Sequence, residues 1–461
     1  MTLPQTLDLD LESVVGVQPA RPFLVRWFPS LRWWPLPTTW VVLGRDPVCD
    51  VVLDDPSISR RHARVRCAGE SLVVEDLGSR NGVFVRGNRV ACASVIDPAT
   101  VLRIGRGLFS LRFITHDTTE GSGDGLFDAR SDDRFASLGL VGGLAVRKVH
   151  TALRALAPID EAVLILGETG TGKGLAAAAL ARLAGRQLHA VSGAELRPET
   201  ALSALFGHVR GAFTGADRAH DGYVKTAGSD FLFLDEVADL PADVQSMLLR
   251  VLQDRRFRPL GGTSDLSATC RVIAATSIDL RARVESGRFR PDLFHRLDQR
   301  RIEMPPLRER IEDLPVLVTS ILKRRHSIDI ASGDLDPFVL ERLATHAWPG
   351  NVRELENVVG KAYDPSAPGL LAPQVVQRVL EPPPATAPIE VRSPVGELGG
   401  AARVIPGPPK ALFAPRRPSK IDRLDIEAAI RRAGGNRALA ARLLGIGRAT
   451  LYRHLRSRDT P

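Results

Sequence analysis

The chain is poor in cysteine and has no long apolar run, and each absence narrows what it can be. Four cysteines, Cys49, Cys67, Cys92 and Cys270, are spread over 461 residues, and no two have CxxC spacing. That argues against a thiolate zinc site or a disulfide framework and fits a reducing compartment. No apolar stretch approaches the roughly 20 residues a helix needs to cross a bilayer, so no membrane association is expected. Met1-Thr-Leu-Pro-Gln5 has no basic segment leading into an apolar one, so no secretory leader is expected and a cytoplasmic location is. No internal repeat is present. What the chain does have is 44% apolar residues, enough for folded cores, and a length that calls for two to four domains.

Charge is unevenly placed. The net charge is +9, and the segment from Arg416 to Pro461 holds 12 basic and four acidic residues, a local +8. Nearly all the excess sits at one end. A solvated tail has that composition, and so does a nucleic-acid footprint. Three short helical patterns there favour the second reading: Ile421–Ala433, Arg437–Leu444 and Arg448–Arg456, punctuated by Gly434-Gly435 and Gly445-Ile-Gly447.

Two linkers divide the rest. Residues 115–136 are rich in Thr, Gly, Ser and Asp, and residues 382–418 carry repeated prolines. Ahead of the first, residues 22–114 read as all-β. His62–Cys67 alternates polar and apolar, as do parts of Ser71–Leu77 and Gly82–Arg86, with turn signals at Asp54-Asp-Pro56, Asn81-Gly82 and Arg86-Gly-Asn88. Residues 137–325 alternate strand-like runs (Ala162–Leu166, Phe231–Leu234, Arg271–Ala275) with helical stretches, the pattern of a parallel α/β sheet. Residues 326–381 read as a helical lid, and 419–461 as the basic helical end.

Chemistry enters at Gly167-Glu-Thr-Gly170-Thr171-Gly172-Lys173. The run follows an apolar strand and opens an Ala-rich helix, so its glycines let backbone N–H groups face a β-phosphate at the helix's positive end. Lys173 suits the β- and γ-oxygens of ATP. Downstream, Phe231-Leu-Phe-Leu ends in Asp235-Glu236, with Asp235 placed to hold Mg²⁺ and Glu236 to orient or deprotonate water. Between these motifs lies Gly211-Ala212-Phe213-Thr214-Gly215-Ala216, an aromatic framed by glycines and suited to projecting from a folded body.

That order of motifs resembles the AAA+ ATPase domain of bacterial sigma-54-dependent transcriptional activators. The resemblance implies a ring, a hexamer in this family, in which the 211–216 loop touches the sigma factor and ATP turnover remodels the closed sigma-54 RNA polymerase complex. Gly287-Arg-Phe-Arg290-Pro-Asp-Leu-Phe-His-Arg296 is similar to the family's segment of two arginine fingers, which implies that Arg290 and Arg296 act across a subunit boundary. Trp348-Pro-Gly-Asn-Val-Arg353 matches its lid motif and implies a nucleotide sensor at Arg353; the competing reading is a helix-surface arginine paired with Glu356. The C-terminal segment looks like the family's Fis-type helix-turn-helix, with Arg448, Ala449, Thr450 and Arg453 facing the major groove of double-stranded DNA.

Gly44-Arg45, Ser59-Arg-Arg-His62 and Asn81-Gly82 resemble the forkhead-associated (FHA) domain, a β-sandwich that binds phosphothreonine peptides. The implied roles are phosphate binding by Arg45 and Ser59, assistance from Arg60, a peptide-backbone contact from Asn81, and bracing by His62 and Gly44. A phosphate of charge about −1.5 to −2 suits such donors. This domain stands where the family more often has a phospho-acceptor domain, which implies input from a Ser/Thr kinase pathway.

The chain also departs from the family. Gly174 stands where Glu is usual, Ser192 replaces an Asn that couples the catalytic Glu to nucleotide, and Ser277 replaces the Asn of the first sensor. Val209 and Ala204 replace acidic residues near the loop. Slow or altered hydrolysis is therefore expected, and the alternative is a non-hydrolysing, DNA-bound scaffold or repressor.

Overall fold

The computed structural model describes residues 20–90, 94–96, 100–114 and 133–380. The 382–418 linker and the 419–461 segment, with Arg448, Ala449, Thr450 and Arg453, lie outside the described residues, as do residues 115–132 of the first linker.

The N-terminal part is a sandwich of two sheets. Six strands form one, in the order Arg32–Pro35, Arg21–Phe28, Gly107–Ile114, Leu102–Ile104, Val83–Val85, Asn88–Arg89. Five form the other: Val51–Val52, Val41–Gly44, Ala63–Ala68, Ser71–Asp76, Ser94–Ile96. The expected alternation is seen directly in Ala63–Ala68, where every second residue is buried. Leu24, Leu43, Val65, Leu72, Val83, Ile104 and Phe109 fill the space between the sheets. Arg86 and Gly87 both have positive φ, 51° and 78°, as a two-residue type I′ hairpin turn requires.

The central part is a five-stranded parallel sheet in the order Leu188–Ser192, Phe231–Asp235, Arg271–Thr276, Val163–Leu166, Arg301–Glu303. Three strands fall where the apolar runs predicted them. The two outermost, Leu188–Ser192 and Arg301–Glu303, have mixed sequences that announce no strand. Apolar residues cover both faces, with Leu232, Leu234, Val272 and Ala274 in one cluster and Phe231, Phe233, Ile273 and Ala275 in the other. Arg271 opens a central strand yet is 1% exposed. Its guanidinium donates to Leu156 O, Ala157 O and Glu161 O at 2.9, 3.1 and 2.7 Å, satisfying carbonyls at and beyond the end of helix Leu144–Leu156.

The lid packs around Trp348, which is fully buried and donates Nε1–H to Leu343 O at 2.9 Å. Helices Pro337–Ala344, Asn351–Ala362 and Pro373–Leu380 contribute to this core, and so does helix Leu314–His326, which crosses the expected 325/326 boundary. Trp27, Phe28, Val101 and Leu108 of the sandwich belong to the same apolar cluster. The sandwich therefore packs on the lid.

Candidate functional site: a nucleotide pocket, a projecting loop and a loop-tip cluster

A pocket of about 630 Å³ lies where the strand ends meet the lid. Its walls include Gly170, Thr171, Gly172, Lys173, Asp235, Glu236 and Arg353. Gly167, at the mouth of the loop, lines a neighbouring cavity. The loop needs its glycines: Gly170 and Gly172 have φ of 81° and 103°, and a Cβ on Gly170 would lie 2.2 Å from Gly350 O. Helix Lys173–Leu183 begins at Gly172, so its first amides point into the pocket. Lys173 is 7% exposed, its ammonium 2.9 Å from Gly167 O and 3.6 Å from Glu236 Oε1. Thr171 is buried and donates its hydroxyl to Glu168 O at 2.8 Å.

Asp235 closes its strand, and burial followed by the charge of Glu236 pushes its carboxyl up, against the pull of Lys173. Two adjacent carboxylates of which one is raised in this way suit a divalent cation, whose charge would reverse that cost. The donor set thus fits Mg²⁺ with a polyphosphate. Glu236 sits in the left-handed region, φ 51°. Its carboxylate accepts from Ser277 N at 2.9 Å and from Ser277 Oγ at 2.9 and 3.0 Å. Ser192 lines the pocket, but the hydroxyl holding Glu236 is that of Ser277. A Cβ on Gly174 would meet nothing within 4 Å.

The lid grips the loop through backbone and side chain. Val352 N donates to Gly170 O at 3.0 Å, and Asn351 Nδ2 to Thr169 O and Glu168 Oε2, each at 3.0 Å. Arg308 forms two bonds of 2.8 and 2.7 Å to Glu168, which with the Asn351 contact holds that carboxyl at about 2. Arg353 is exposed on the pocket wall. Glu356, the partner in the competing reading of Arg353, pairs with Arg324 at 2.6 Å. Sequence reasoning missed Asn351 and Arg310, and it noted Ser277 only as a shortened first sensor, not as the group that holds Glu236. Arg310 is 2% exposed and reaches Thr171 O at 3.1 Å, with burial pulling its guanidinium down.

Arg290 and Arg296 do not line the pocket of their own chain. Arg290 is exposed and paired with Asp292 at 2.7 Å, and Arg296 donates to Leu252 O at 3.2 Å. In the loop, Gly211 and Gly215 have φ of 81° and 96°, and Gly211 N meets Ala216 O at 2.8 Å. Phe213 is 48% exposed, its ring edge-on to His208 at 4.9 Å, with Thr214 exposed beside it and Ala212 and Ala216 at the base. His208 Nε2–H donates to Arg218 O at 3.0 Å and its Nδ1 lies 2.8 Å from Ser203 Oγ, which fixes the ring under the loop.

At one end of the sandwich, Arg45, Ser59, Arg60 and Asn81 come together. Arg45 N donates to Ser59 O and Asp46 N to Arg60 O, both at 3.0 Å. Ser59 Oγ accepts from Arg80 N at 3.0 Å, and Asn81 Nδ2 donates to Ser57 O at 2.6 Å. Buried His62 links Ser59 N, at 3.0 Å, to Gly82 O, at 3.1 Å, and burial lowers its pKa, so it is a neutral brace. A Cβ on Gly44 would lie 2.0 Å from Arg60 O.

Comparison with known proteins finds four domain families along the chain. The family model of the sigma-54 interaction domain matches residues 142–303, the FHA domain 41–105, the AAA+ ATPase lid domain 308–386, and the bacterial regulatory protein, Fis family, 420–457. The DNA-binding transcriptional regulator NtrC of Bradyrhizobium sp. (strain RP501 Parasponia) is 38% identical over 342 residues, 71% of each chain. The transcriptional regulatory protein ZraR of Klebsiella oxytoca is 38% identical over 333 residues, 69% of each. A crystal structure of NtrX from Brucella abortus in complex with ATP aligns over 69% of each chain at 28% identity, with a TM-score of 0.45. With a relative of 38% identity spanning over two thirds of both chains, this protein belongs to the sigma-54-dependent transcriptional activators, built from an FHA domain, an AAA+ sigma-54 interaction domain with its lid, and a Fis-type helix-turn-helix.

Proposed function

We propose that this activator hydrolyses ATP in a homo-oligomeric ring, a hexamer by family resemblance, and uses the turnover to remodel closed complexes of sigma-54 RNA polymerase. The observation that carries the reading is the convergence of Lys173, Asp235, Glu236 and Arg353 on one pocket closed by the lid. Lys173 and the amides of the 170–173 turn take the phosphate charge. Glu236 orients the attacking water and receives its proton, and Ser277 fixes the carboxylate for that task. Mg²⁺, when bound through Asp235, neutralises phosphate oxygens. Arg353 reports nucleotide to the lid, while Arg290 and Arg296, which do not line their own pocket, serve the neighbouring subunit's ATP.

The departures at Gly174, Ser192 and Ser277 do not leave Glu236 unsupported, which favours hydrolysis over a silent scaffold. The Phe213 loop, exposed and seated on His208, is the contact to sigma-54. Residues 419–461, with Arg448, Ala449, Thr450 and Arg453, tether the ring to upstream DNA, and the 382–418 linker raises its local concentration at the promoter. The 22–114 domain reads a phosphothreonine protein through Arg45, Ser59, Arg60 and Asn81, and all of this takes place in the cytoplasm. The test is ATP turnover by the full chain against Lys173→Ala and Glu236→Gln: turnover should vanish in both, with nucleotide binding retained only in Glu236→Gln. Equal turnover in the wild type and Glu236→Gln contradicts the assignment.

A further inference from the structure

The FHA sandwich is held on the ATPase lid by a buried, shape-specific contact. Arg103, on strand Leu102–Ile104, donates Nε–H to Glu341 Oε2 at 2.6 Å, and both side chains are 7% exposed. Glu341 lies on lid helix Pro337–Ala344, and its other oxygen accepts from Gly87 N at 3.0 Å. The I′ turn at Arg86-Gly87 aims that amide at the lid. The Arg103 guanidinium is flanked by Phe84 of the sandwich, 3.9 Å from its ring centroid, and Phe338 of the lid, at 4.6 Å. Every polar atom of the Glu341 carboxylate is thus used by the other domain. A carboxylate is not buried against two donors from a distant domain merely to solvate a surface helix.

A second contact lies closer to the nucleotide. Arg112, on strand Gly107–Ile114, pairs with Glu312. The adjoining Asp313 accepts from Gly143 N, beside pocket-wall residues Gly139 to Val141, and Arg310 donates to Thr171 O of the phosphate loop. One short turn, 310–313, therefore touches the sandwich on one residue and the nucleotide pocket on its neighbours. The sandwich therefore grips the ATPase at two places, and one of them adjoins the nucleotide pocket.

The outer end of the sandwich joins the same elements. Asn81 Nδ2 donates to Ser57 O at 2.6 Å, and Ser57 Oγ accepts from Arg106 N at 2.9 Å. Arg106 lies in the turn between the strands that carry Arg103 and Arg112, and Arg103 itself donates to Gly105 O in that turn at 3.3 Å. A peptide that takes the Asn81 amide would withdraw it from Ser57 and loosen the anchor of this turn.

We propose that the FHA domain is a brake clamped on the ATPase lid through Arg103–Glu341, and that a phosphothreonine peptide at Arg45, Ser59 and Asn81 releases it. The proposal rests on the phosphopeptide and ATPase readings above and assigns the sign of their coupling. Turnover requires Arg353 and the lid to engage and leave each nucleotide, and lid opening commonly limits such cycles. A rigid body fastened to the lid helix and to the 310–313 turn holds one lid position and slows the cycle.

The experiment uses the full chain and two readouts: hydrogen exchange at the Gly87 amide, which reports docking, and ATP turnover. Arg103→Glu and Glu341→Arg should each expose Gly87 and raise turnover by about threefold or more, since each leaves like charges facing. The double Arg103→Glu/Glu341→Arg chain, with the pair restored in reverse, should regain protection and slow turnover. Glu341→Gln, which leaves the sandwich's own residues untouched, covers the case in which Arg103→Glu disturbs the sandwich, and it should act in the same direction. Protection of Gly87 unchanged in Glu341→Gln and Glu341→Arg overturns the clamp. Protection lost with turnover equal or lower overturns the brake. A degenerate phosphothreonine peptide pool should speed Gly87 exchange in the wild type, and its unphosphorylated counterpart should not. Binding of the pool without any change at Gly87 overturns the coupling. A pool that fails to bind at all instead removes the phosphopeptide reading, and a wild type and variants that all lack turnover remove the hydrolysis reading together with the brake.

Discussion

Replacing Asn351 with Ala should cost about 2–4 kcal/mol of stability, because one side chain makes three hydrogen bonds in a buried place. Asn351 is fully buried and its φ is 51°. Its Oδ1 accepts from Leu307 N at 2.8 Å, and its Nδ2 donates to Thr169 O and Glu168 Oε2 at 3.0 Å. Ala leaves the buried Leu307 N–H without a partner, at about 1–3 kcal/mol, and forfeits about 1 kcal/mol for the Thr169 bond. The Glu168 bond is to a largely solvated carboxylate and adds little. A left-handed backbone strains Ala by about 1–2 kcal/mol more than Gly. Asn351→Gly loses the same hydrogen bonds without that strain, so it should be about 1 kcal/mol more stable than Asn351→Ala despite its more flexible unfolded chain. The assay is urea denaturation followed by far-UV circular dichroism, with ATP affinity measured on the same samples. Both variants should bind ATP more weakly, since the lid loses one of its ties to the phosphate loop. An Ala variant within about 1 kcal/mol of wild type, or one more stable than the Gly variant, would refute this account of the residue.

Four further outcomes follow. Phe213→Ala should leave nucleotide affinity unchanged and abolish sigma-54-dependent open-complex formation, because the exposed ring lies outside the pocket; normal transcription by purified polymerase contradicts that. Arg290→Ala and Arg296→Ala should each lose turnover alone and regain part of it in rings mixed with Glu236→Gln, where some interfaces pair an intact finger with an intact glutamate; verified mixed rings without rescue place those arginines in their own subunit's packing. Arg45→Ala should remove most phosphothreonine-peptide affinity while the fold persists, since the exposed side chain sits at a loop tip; equal binding by the variant in a peptide-library screen turns the domain into a packing module. Burial pushes the Asp313 carboxyl up to about 7. The raised folded value means its stabilising share is complete below the unfolded value and is lost as pH rises toward 7. Asp313→Asn should therefore gain stability relative to wild type across that window and hold a constant difference above it, and parallel profiles from pH 4 to 7 would count against the assignment.

What was legible in the sequence was local. The phosphate loop, Asp235-Glu236 after an apolar strand and the glycine-framed Phe213 each carry their geometry within a few residues, as does the alternation of Ala63–Ala68. Longer-range relations were not legible. Ser277 holds Glu236 from 41 residues away, Arg310 meets Thr171 across 139, and Arg103 meets Glu341 across 238. None of these residue types announces its partner, because serine, arginine and glutamate are ordinary surface residues until a fold buries them. Ser277 is instructive: set against the family pattern it looked like a weakened sensor, yet its amide and hydroxyl together give the glutamate two donors. The strands Leu188–Ser192 and Arg301–Glu303 were missed for a related reason. They lie at the sheet's edges, where one unpaired side permits polar residues that a central strand excludes.

The central claim is that hydrolysis, and not occupancy alone, drives the polymerase. It is tested most directly by open-complex formation on a sigma-54 promoter, with purified sigma-54 RNA polymerase and the full chain at ring-forming concentration. Strand opening should be probed with ATP and with a non-hydrolysable analogue, in the wild type and in the undocked Glu341→Arg chain. Opening with ATP alone, absent in Glu236→Gln, is the expected result. Opening with the analogue, or none with ATP in either chain while ATP is being consumed, would contradict it.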